Sequence, residues 1–493
     1  MRRFHGFYLR DANAPKSVFH SAGTFGRLFP SLPPFGSDTT ALRKALKEIG
    51  KTGGIMDARD DLSDPKTLIT DPAKSKTNPD NPNLTAGMTF LGQFLDHDMT
   101  FDPTSNLERQ NDPEAIMNFR TPALELDNLY GAGPVASPHL YDQSSQGGGI
   151  RFLVEEIPNA ASRGNSKRYD LPRNSQNVAL IGDPRNDENL MVSQLHLAML
   201  KFHNAVVDQL AASGTVERGD LFAEAQRLVR WHYQWIILHE FLPKTVAESV
   251  VTDVLTRGRK FYNWKNAPFI PVEFSVSAYR FGHSQVRPSY RANFGQTPGK
   301  EFFALVFDDK QAPGNTDPND LRGGARAARR FIDWQTFFDF GDKNVKPNKS
   351  IDTTLSSVLF DLPGIPGEEP QSLAERNLLR HLTFALPSGQ AVAKAMRVEP
   401  LDAKELDDLK PFGLGLNHST PLWFYILREA QVRENGKRLG PVGSRIVAEV
   451  FIGLLEGDRL SYLRQSRLDP YVVRGEGLSH GRSITLCGRR SPS

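Results

Sequence analysis

The chain contains a single cysteine in 493 residues, Cys487. It therefore cannot close an internal disulfide, and cysteine-rich metal sites are excluded, so any protein-held metal must rely on histidine or oxygen ligands. No apolar run approaches the ~18 residues that a membrane span needs. The first ten residues, Met-Arg-Arg-Phe-His-Gly-Phe-Tyr-Leu-Arg, are basic but lack the apolar stretch of an export signal. The expectation is a protein without a membrane span and cytoplasmic by default, with non-standard secretion left open. Neither sign of charge dominates: 60 Lys+Arg face 57 Asp+Glu, a net +3, and the basic residues are scattered. A nucleic-acid partner is not expected. Period-two apolar alternation is scarce and no internal repeat is present. His-Glu-x-x-His, Gly-x-Ser-x-Gly and P-loop motifs are also missing, which removes the usual anchors for a zinc hydrolase, an α/β-hydrolase and a nucleotidase.

What is present points to a mainly α body with long loops. Residues 1–84 are rich in Pro, Gly, Asp and Asn and read as an irregular arm. Residues 85–470 form the body, and 471–493 read as a polar, disordered tail. Apolar residues at helical spacing predict helices near 190–212, 220–242, 325–340, 372–385 and 443–455. His196 and His203, like His232 and His239, stand seven apart. Two helical turns separate each pair by about 10 Å, too far to share one ion, so structural roles are expected.

Five short segments carry more chemistry than a fold requires. In Leu91–Thr100, Gln93 and His97 share one helix face, with Asp96 and Asp98 to either side. Taken alone, His97 reads first as an ordinary, partly buried histidine bonded to a neighbour. Thr121, Ala123, Glu125 and Asp127 alternate to one side if their loop is extended. With Asp98 they make an all-oxygen set suited to a hard cation such as Ca²⁺, or simply a solvated acidic loop. Gly182-Asp-Pro-Arg185-Asn-Asp-Glu188-Asn189 precedes a long helix, where such residues commonly cap. Tyr279-Arg-Phe-Gly-His283 sets an imidazole beside a glycine that lets another group approach. Asn377 and Arg380, three apart, share a helix face.

Together and in this order, the five segments resemble those of the animal-type haem peroxidases in the peroxidase–cyclooxygenase superfamily, over about residues 85–464. The resemblance implies a single large, mainly α-helical domain around a buried haem b. It implies that His97, Arg185 and Gln93 act on hydrogen peroxide, and that His283 binds the haem iron while its other ring nitrogen donates to the Asn377 carbonyl. Arg380 is then the partner of a haem propionate. Asp98, Thr121, Ala123, Glu125 and Asp127 become calcium ligands, and Asp96 and Glu188 the carboxylates that form ester links to haem. The implied activity is reduction of hydrogen peroxide through a ferryl haem, with oxidation of phenols or other small donors, bromide, iodide and thiocyanate among them.

Three departures from the family pattern carry consequences. Asn189 stands where myeloperoxidase has a methionine joined to a haem vinyl, so that link and strong chloride oxidation are not expected. Glu125 replaces the commoner aspartate of the loop. Arg280 occupies the position, three before the proximal histidine, where fatty-acid oxygenases of the superfamily carry a radical tyrosine, and Tyr279 lies one residue further back. A fatty-acid dioxygenase is thus the alternative enzyme reading, and a non-catalytic haem-binding or adhesion protein the alternative outside enzymes. Retention of both His97 and Arg185 weighs against the latter.

Overall fold

The computed structural model describes residues 23–101, 117–144, 148–308, 310–311, 314–363 and 370–465. Its frame is helical: α1 (Thr40–Gly50), α2 (Ala86–Met99), α3 (Leu190–Ser213), α4 (Leu221–Ile236), α5 (Glu248–Arg257), α6 (Leu373–Thr383), α7 (Leu422–Glu434) and α8 (Pro441–Gly457). Three of the starts have a clear local cause. Asn189 caps α3 by accepting from Val192 N at 2.9 Å, and Ser372 caps α6 by accepting from Glu375 N at 3.3 Å. Pro441 opens α8, whose first free amides at Val442 and Gly443 donate to the buried Glu429 carboxylate.

Strands are short: β1 (Gly23–Gly26), β2 (Asp80–Thr85), β3 (Met117–Asn118), β4 (Glu155–Glu156), β5 (Tyr169–Asp170), β6 (Ile270–Pro271), β7 (Ser289–Asn293), β8 (Phe302–Leu305) and β9 (Pro347–Lys349). β1 lies between β3, antiparallel, and β6, parallel. β2 pairs with β9, β4 with β5 and β7 with β8, all antiparallel. They staple long connections to the helical body, in which α2, α3, α7 and α8 are buried over most of their length. Among the described residues no helix is long and apolar enough to cross a membrane.

Two expectations are corrected. The segment before residue 85 is not an irregular arm throughout. It contributes β1, β2 and α1, and α1 inserts Leu42, Leu46 and Ile49 into the core against α6. Burial of each such side chain stabilises by about 1.5–3 kcal/mol, enough to fasten the helix to the body. Residues 325–340 are not a helix; only Trp334–Thr336 forms a single 3₁₀ turn. Asn293 Nδ2 donates to the carbonyls of Arg329 and Phe331 at 2.8 and 3.0 Å, and Asp333 N to Ala292 O at 2.9 Å. The segment is thus pinned edge-on to β7, and buried Arg330 donates to the Pro318 and Asp320 carbonyls. The helices expected near 190–212, 220–242, 372–385 and 443–455 are present, the second continuing past Ile236 into a π turn, Ile237–Phe241. Residues 1–22 and the tail with Cys487 lie outside the described residues.

Candidate active site

On α2 every residue is buried except Gly92, Gln93 and Asp96, a single stripe at i, i+1 and i+4. That stripe borders an internal space. Glu188, in the turn before α3, shows why: surrounding protein pushes its carboxyl up to about 7, yet 43% of the side chain is open. Open surface so far inside a protein is the wall of a cavity. Gln93 spans this wall, donating through Nε2 to Glu188 and accepting from Asn189 Nδ2 at 3.1 Å.

His97 sits beside the stripe, 5% exposed. Its Nδ1 donates to Asn186 Oδ1 at 2.8 Å, and its Nε2 lies 3.9 Å from Glu188 Oε1. Burial, with the Arg185 guanidinium adding to it, lowers the imidazole pKa to about 3, so the ring is neutral at ordinary pH. Arg185 stands alongside. Its Nη2 donates to the carbonyls of His97 and Thr100 at 3.1 and 2.5 Å, its Nε to Asp183 at 3.1 Å, and its plane lies 4.4 Å over the Phe101 ring. Asp183 is completely buried and also receives Arg120, itself 2% exposed. Burial alone would raise Asp183, but the two guanidinia hold it well below the usual carboxylate range. Just before it, a Cβ at Gly182 would come within 2.5 Å of the Asn128 carbonyl, so only glycine lets these two loops meet.

The opposite wall comes from irregular backbone. A π turn, Glu273–Ser277, leads into a 3₁₀ segment, Ala278–His283, whose last residue is the candidate iron ligand. Tyr279 Oη donates to Gly92 O at 3.0 Å, which joins this wall to α2. Asp96 is pushed upward by burial while both Arg185 and Arg280 pull it down, so it lies between the two walls. A Cβ at Gly282 would meet nothing within 4 Å, which leaves space next to His283.

One expected contact is reversed. Asn377 presents Nδ2, not its carbonyl, to His283 Nδ1 at 2.8 Å, because its Oδ1 accepts from Arg280 Nη1 at 2.7 Å. A guanidinium has only donors, so the amide oxygen turns toward it. His283 Nε2 is the ring nitrogen not engaged by Asn377, and burial, then Arg280, hold this imidazole neutral as well, down to about 3. Arg380 is half-buried on α6, the helix that carries Asn377.

The oxygen-rich loop is not extended. Ala123 N donates back to Thr121 O at 2.7 Å, and Leu126 turns through a left-handed φ of 61°. The turn nevertheless brings Asp127 and Glu125 to Asp98. Asp98 Oδ2 accepts from Leu126 N at 3.1 Å and Tyr233 Oη at 3.0 Å, while Asp98 Oδ1 and Asp127 Oδ1 are buried without hydrogen-bond partners. Burial, then mutual repulsion, raises Asp98 well above its ordinary value. Asp127 rises to about 6 through burial, against the pull of Arg120 and with a smaller upward push from Glu125. Among the described residues no group of three or more His, Cys, Asp or Glu is placed to hold a metal ion.

The structure assigns positions to Asn186, Asp183, Arg120 and Tyr233 that the sequence reading did not single out. Asn186 and Asp183 were hidden in a segment that looks like helix capping, and Asp183 does cap, accepting from Arg185 N at 2.9 Å. Nothing in the sequence marks Arg120 as buried. His203, by contrast, is structural as expected, held by Tyr130 Oη and Ile150 O.

A model of the animal haem peroxidase family matches residues 107–309, a span that includes Arg185 and His283. Peroxidasin of Drosophila melanogaster is 24% identical over 371 residues, covering 70% of this chain and 23% of that protein. Human thyroid peroxidase is 25% identical over 208 residues, 39% of this chain and 22% of that protein. The chain therefore spans about a quarter of the length of these curated relatives. Among solved structures, peroxidase A from Dictyostelium discoideum superposes with a TM-score of 0.60 at 18% identity, covering 94% of this chain and 95% of that one. Fatty acid alpha-dioxygenase of Arabidopsis thaliana gives 0.56 at 15% identity, covering 91% and 75%. By sequence the chain is thus similar to the animal haem peroxidases over residues 107–309, and its fold is the one these solved peroxidase and dioxygenase structures share.

Proposed function

We propose that the protein is a haem-dependent peroxidase that reduces hydrogen peroxide at the expense of small electron donors, such as phenols, bromide, iodide or thiocyanate. One observation carries the reading: a buried, neutral His97 with its Nδ1 proton engaged and its Nε2 turned to a cavity, with Arg185 beside it and His283 in the opposite wall. The cavity's open surface and its flanking donors fit haem b. His283 would hold the iron through Nε2, which requires its Nδ1 to carry the ring hydrogen and the Asn377 amide to turn its Oδ1 from Arg280 to that nitrogen, and Arg380 would meet a propionate. Asp96 and Glu188 border the same space and are the carboxylates available for ester links. When bound, haem supplies the iron centre and the oxidising equivalents.

The protein's own part is proton handling and charge. His97 Nε2 takes the proton from the near oxygen of peroxide and returns it to the departing oxygen, which a neutral imidazole can do and an imidazolium cannot. Arg185 stabilises the negative charge that develops on that oxygen, and Gln93 orients peroxide or water. Asp98 and Asp127, each with a buried oxygen that accepts no hydrogen bond, fit one Ca²⁺ together with Thr121, Ala123 and Glu125. A divalent cation would relieve their repulsion and allow both to ionise. The oxygenase reading gains nothing from Tyr279, whose hydroxyl is committed to Gly92 O.

The test is the absorption spectrum of purified, haem-supplied protein before and after hydrogen peroxide, with oxidation of a guaiacol-type phenol as readout. A Soret band that shifts on peroxide, with turnover lost in His97→Ala, is expected. Haem retained without turnover, or oxygen uptake with a long-chain fatty acid instead, would overturn the reading.

A further inference from the structure

Behind His97 lies a second, fully enclosed layer of hydrogen bonds that the proposed chemistry does not use. Asn186, completely buried, faces His97 with Oδ1 at 2.8 Å and faces His196 Nδ1 with Nδ2 at 3.0 Å. His196 on α3 is completely buried too, and its Nε2 has no partner. The Phe94 ring of α2 packs edge-on against it, 6.0 Å between centroids. A carboxamide has one end that only accepts and one that only donates. Its orientation therefore decides which nitrogen of each imidazole carries hydrogen. With Oδ1 toward His97, that ring carries its proton on Nδ1 and keeps a lone pair on Nε2, the atom nearest the cavity. With Nδ2 toward His196, that ring must accept at Nδ1 and carry its hydrogen on Nε2.

Resting on the peroxidase reading above, we propose that Asn186 is a positioning residue that, braced by His196, fixes the tautomer of His97 so that Nε2 is available as the proton acceptor. The opposite tautomer would present an N–H to peroxide and leave no base. Moving to it requires the buried amide to turn over and both rings to exchange their hydrogens. Arg185 does not set this choice, because its bonds run to Asp183 and to the His97 and Thr100 carbonyls, not to the imidazole. Glu188, 3.9 Å from Nε2, lies beyond hydrogen-bond reach. Among the described residues, Asn186 alone bonds the ring nitrogen that faces away from the cavity.

The test begins with the wild-type full chain, ¹⁵N-labelled at histidine and loaded with zinc protoporphyrin as a diamagnetic stand-in for haem. Long-range ¹H–¹⁵N spectra are expected to show His97 protonated at Nδ1 and bare at Nε2, and a proton on Nε2 would overturn the proposal. Stopped-flow kinetics on the haem-loaded chain then separate the peroxide step from donor oxidation. Asn186→Ala is expected to slow the peroxide step about tenfold to a hundredfold, part of the ~10²–10⁴ that a positioned base supplies. Haem retention and the donor step should stay as in wild type. Asn186→Asp, which still accepts from Nδ1, is expected to recover most of the rate, and His196→Phe, which removes the brace, to give an intermediate loss. An alanine variant as fast as wild type, or an aspartate variant as slow as alanine, would overturn the role of Asn186. Should the alanine variant not fold, the wild-type spectrum and the aspartate variant still decide. A wild-type protein that binds haem but ignores peroxide would instead sink the peroxidase reading, leaving the tautomer measurable on its own.

Discussion

The two walls of the cavity are built by different means. The wall with His97 is a regular helix of fourteen residues, buried except along one stripe, and its histidine is tied to groups that are themselves buried and bonded. The wall with His283 consists of a π turn followed by a 3₁₀ segment, with the histidine at its end, held through Asn377 and Arg280. Helical spacing dictates which side chains of the first wall reach the cavity. In the second, departures from that spacing do so, as is common where a helix is distorted for function. The contrast separates two tasks: holding a base at a fixed angle suits a rigid helix, while presenting a ligand end-on suits an interrupted one.

The largest expected effect tests which wall anchors the cofactor. His283→Ala should abolish haem retention on desalting, restored by added imidazole. If haem stays bound and resists acid–ketone extraction, Asp96 and Glu188 on the other side hold it covalently and the division of tasks fails. Next, His97→Ala should slow the reaction with peroxide by about 10²–10⁴-fold in stopped-flow measurements while leaving haem content unchanged. Loss of haem in that variant would mean that the helical wall also anchors.

A smaller effect concerns the proposed cation loop behind α2. Removing calcium with a chelator should lower the unfolding midpoint and slow the peroxide step together. Asp98→Asn, which keeps an acceptor for Leu126 N and Tyr233 Oη, should make the protein indifferent to chelator. Equal chelator sensitivity in that variant would remove Asp98 from the site.

The smallest effect is in pH. His97, His196 and His283 are lowered to about 3 and His203 and His381 to about 4, all chiefly by burial. Below about 6.5 the unfolded chain takes up protons that the native state refuses, so this stability is complete above that pH and lost as pH falls toward the native values. Asp127 and Glu188, raised to about 6 and 7, act oppositely. Their contribution is complete below about 4 and lost as pH rises through those values. Five histidines outweigh two carboxylates, so denaturant midpoints should rise with pH between about 4.5 and 6.5, and rise more steeply when calcium is present and Asp127 is ionised. The same slope in both conditions would exclude Asp127 from the cation site.

The same contrast explains what could be read from the sequence. Gln93, Asp96 and His97 fall on one side of a periodic helix, so spacing alone placed them together. His283 and Asn377 were legible only through resemblance, since nothing in Tyr279-Arg-Phe-Gly-His283 announces a π turn upstream. The orientation of the Asn377 amide was not legible, because the hydrogen bond from Arg280 that turns it here depends on tertiary placement. The helix expected at 325–340 failed for a related reason: the Asn293 side chain of β7 claims the Arg329 and Phe331 carbonyls that a helix would have used, and Arg330 is drawn away to the Pro318 and Asp320 carbonyls. Asn186 sits between two histidines ten residues or more away on separate elements, and no local pattern reports such a meeting.

Asp98, Asp127, Arg120, Asp183 and Arg185 run from the buried loop to the cavity, and beyond the two carboxylates at the loop end the charges alternate. One carboxylate, Asp183, is shared between a guanidinium that faces the loop and one that faces the cavity. A divalent ion at the loop end would draw Asp127 away from Arg120. Arg120 would then lean harder on Asp183, and Asp183 would hold Arg185 less. An anion attracted to Arg185 would pull the same row from its other end. The two ends would then be thermodynamically linked, so that whatever factor the cation contributed to anion affinity, the anion would return to the cation.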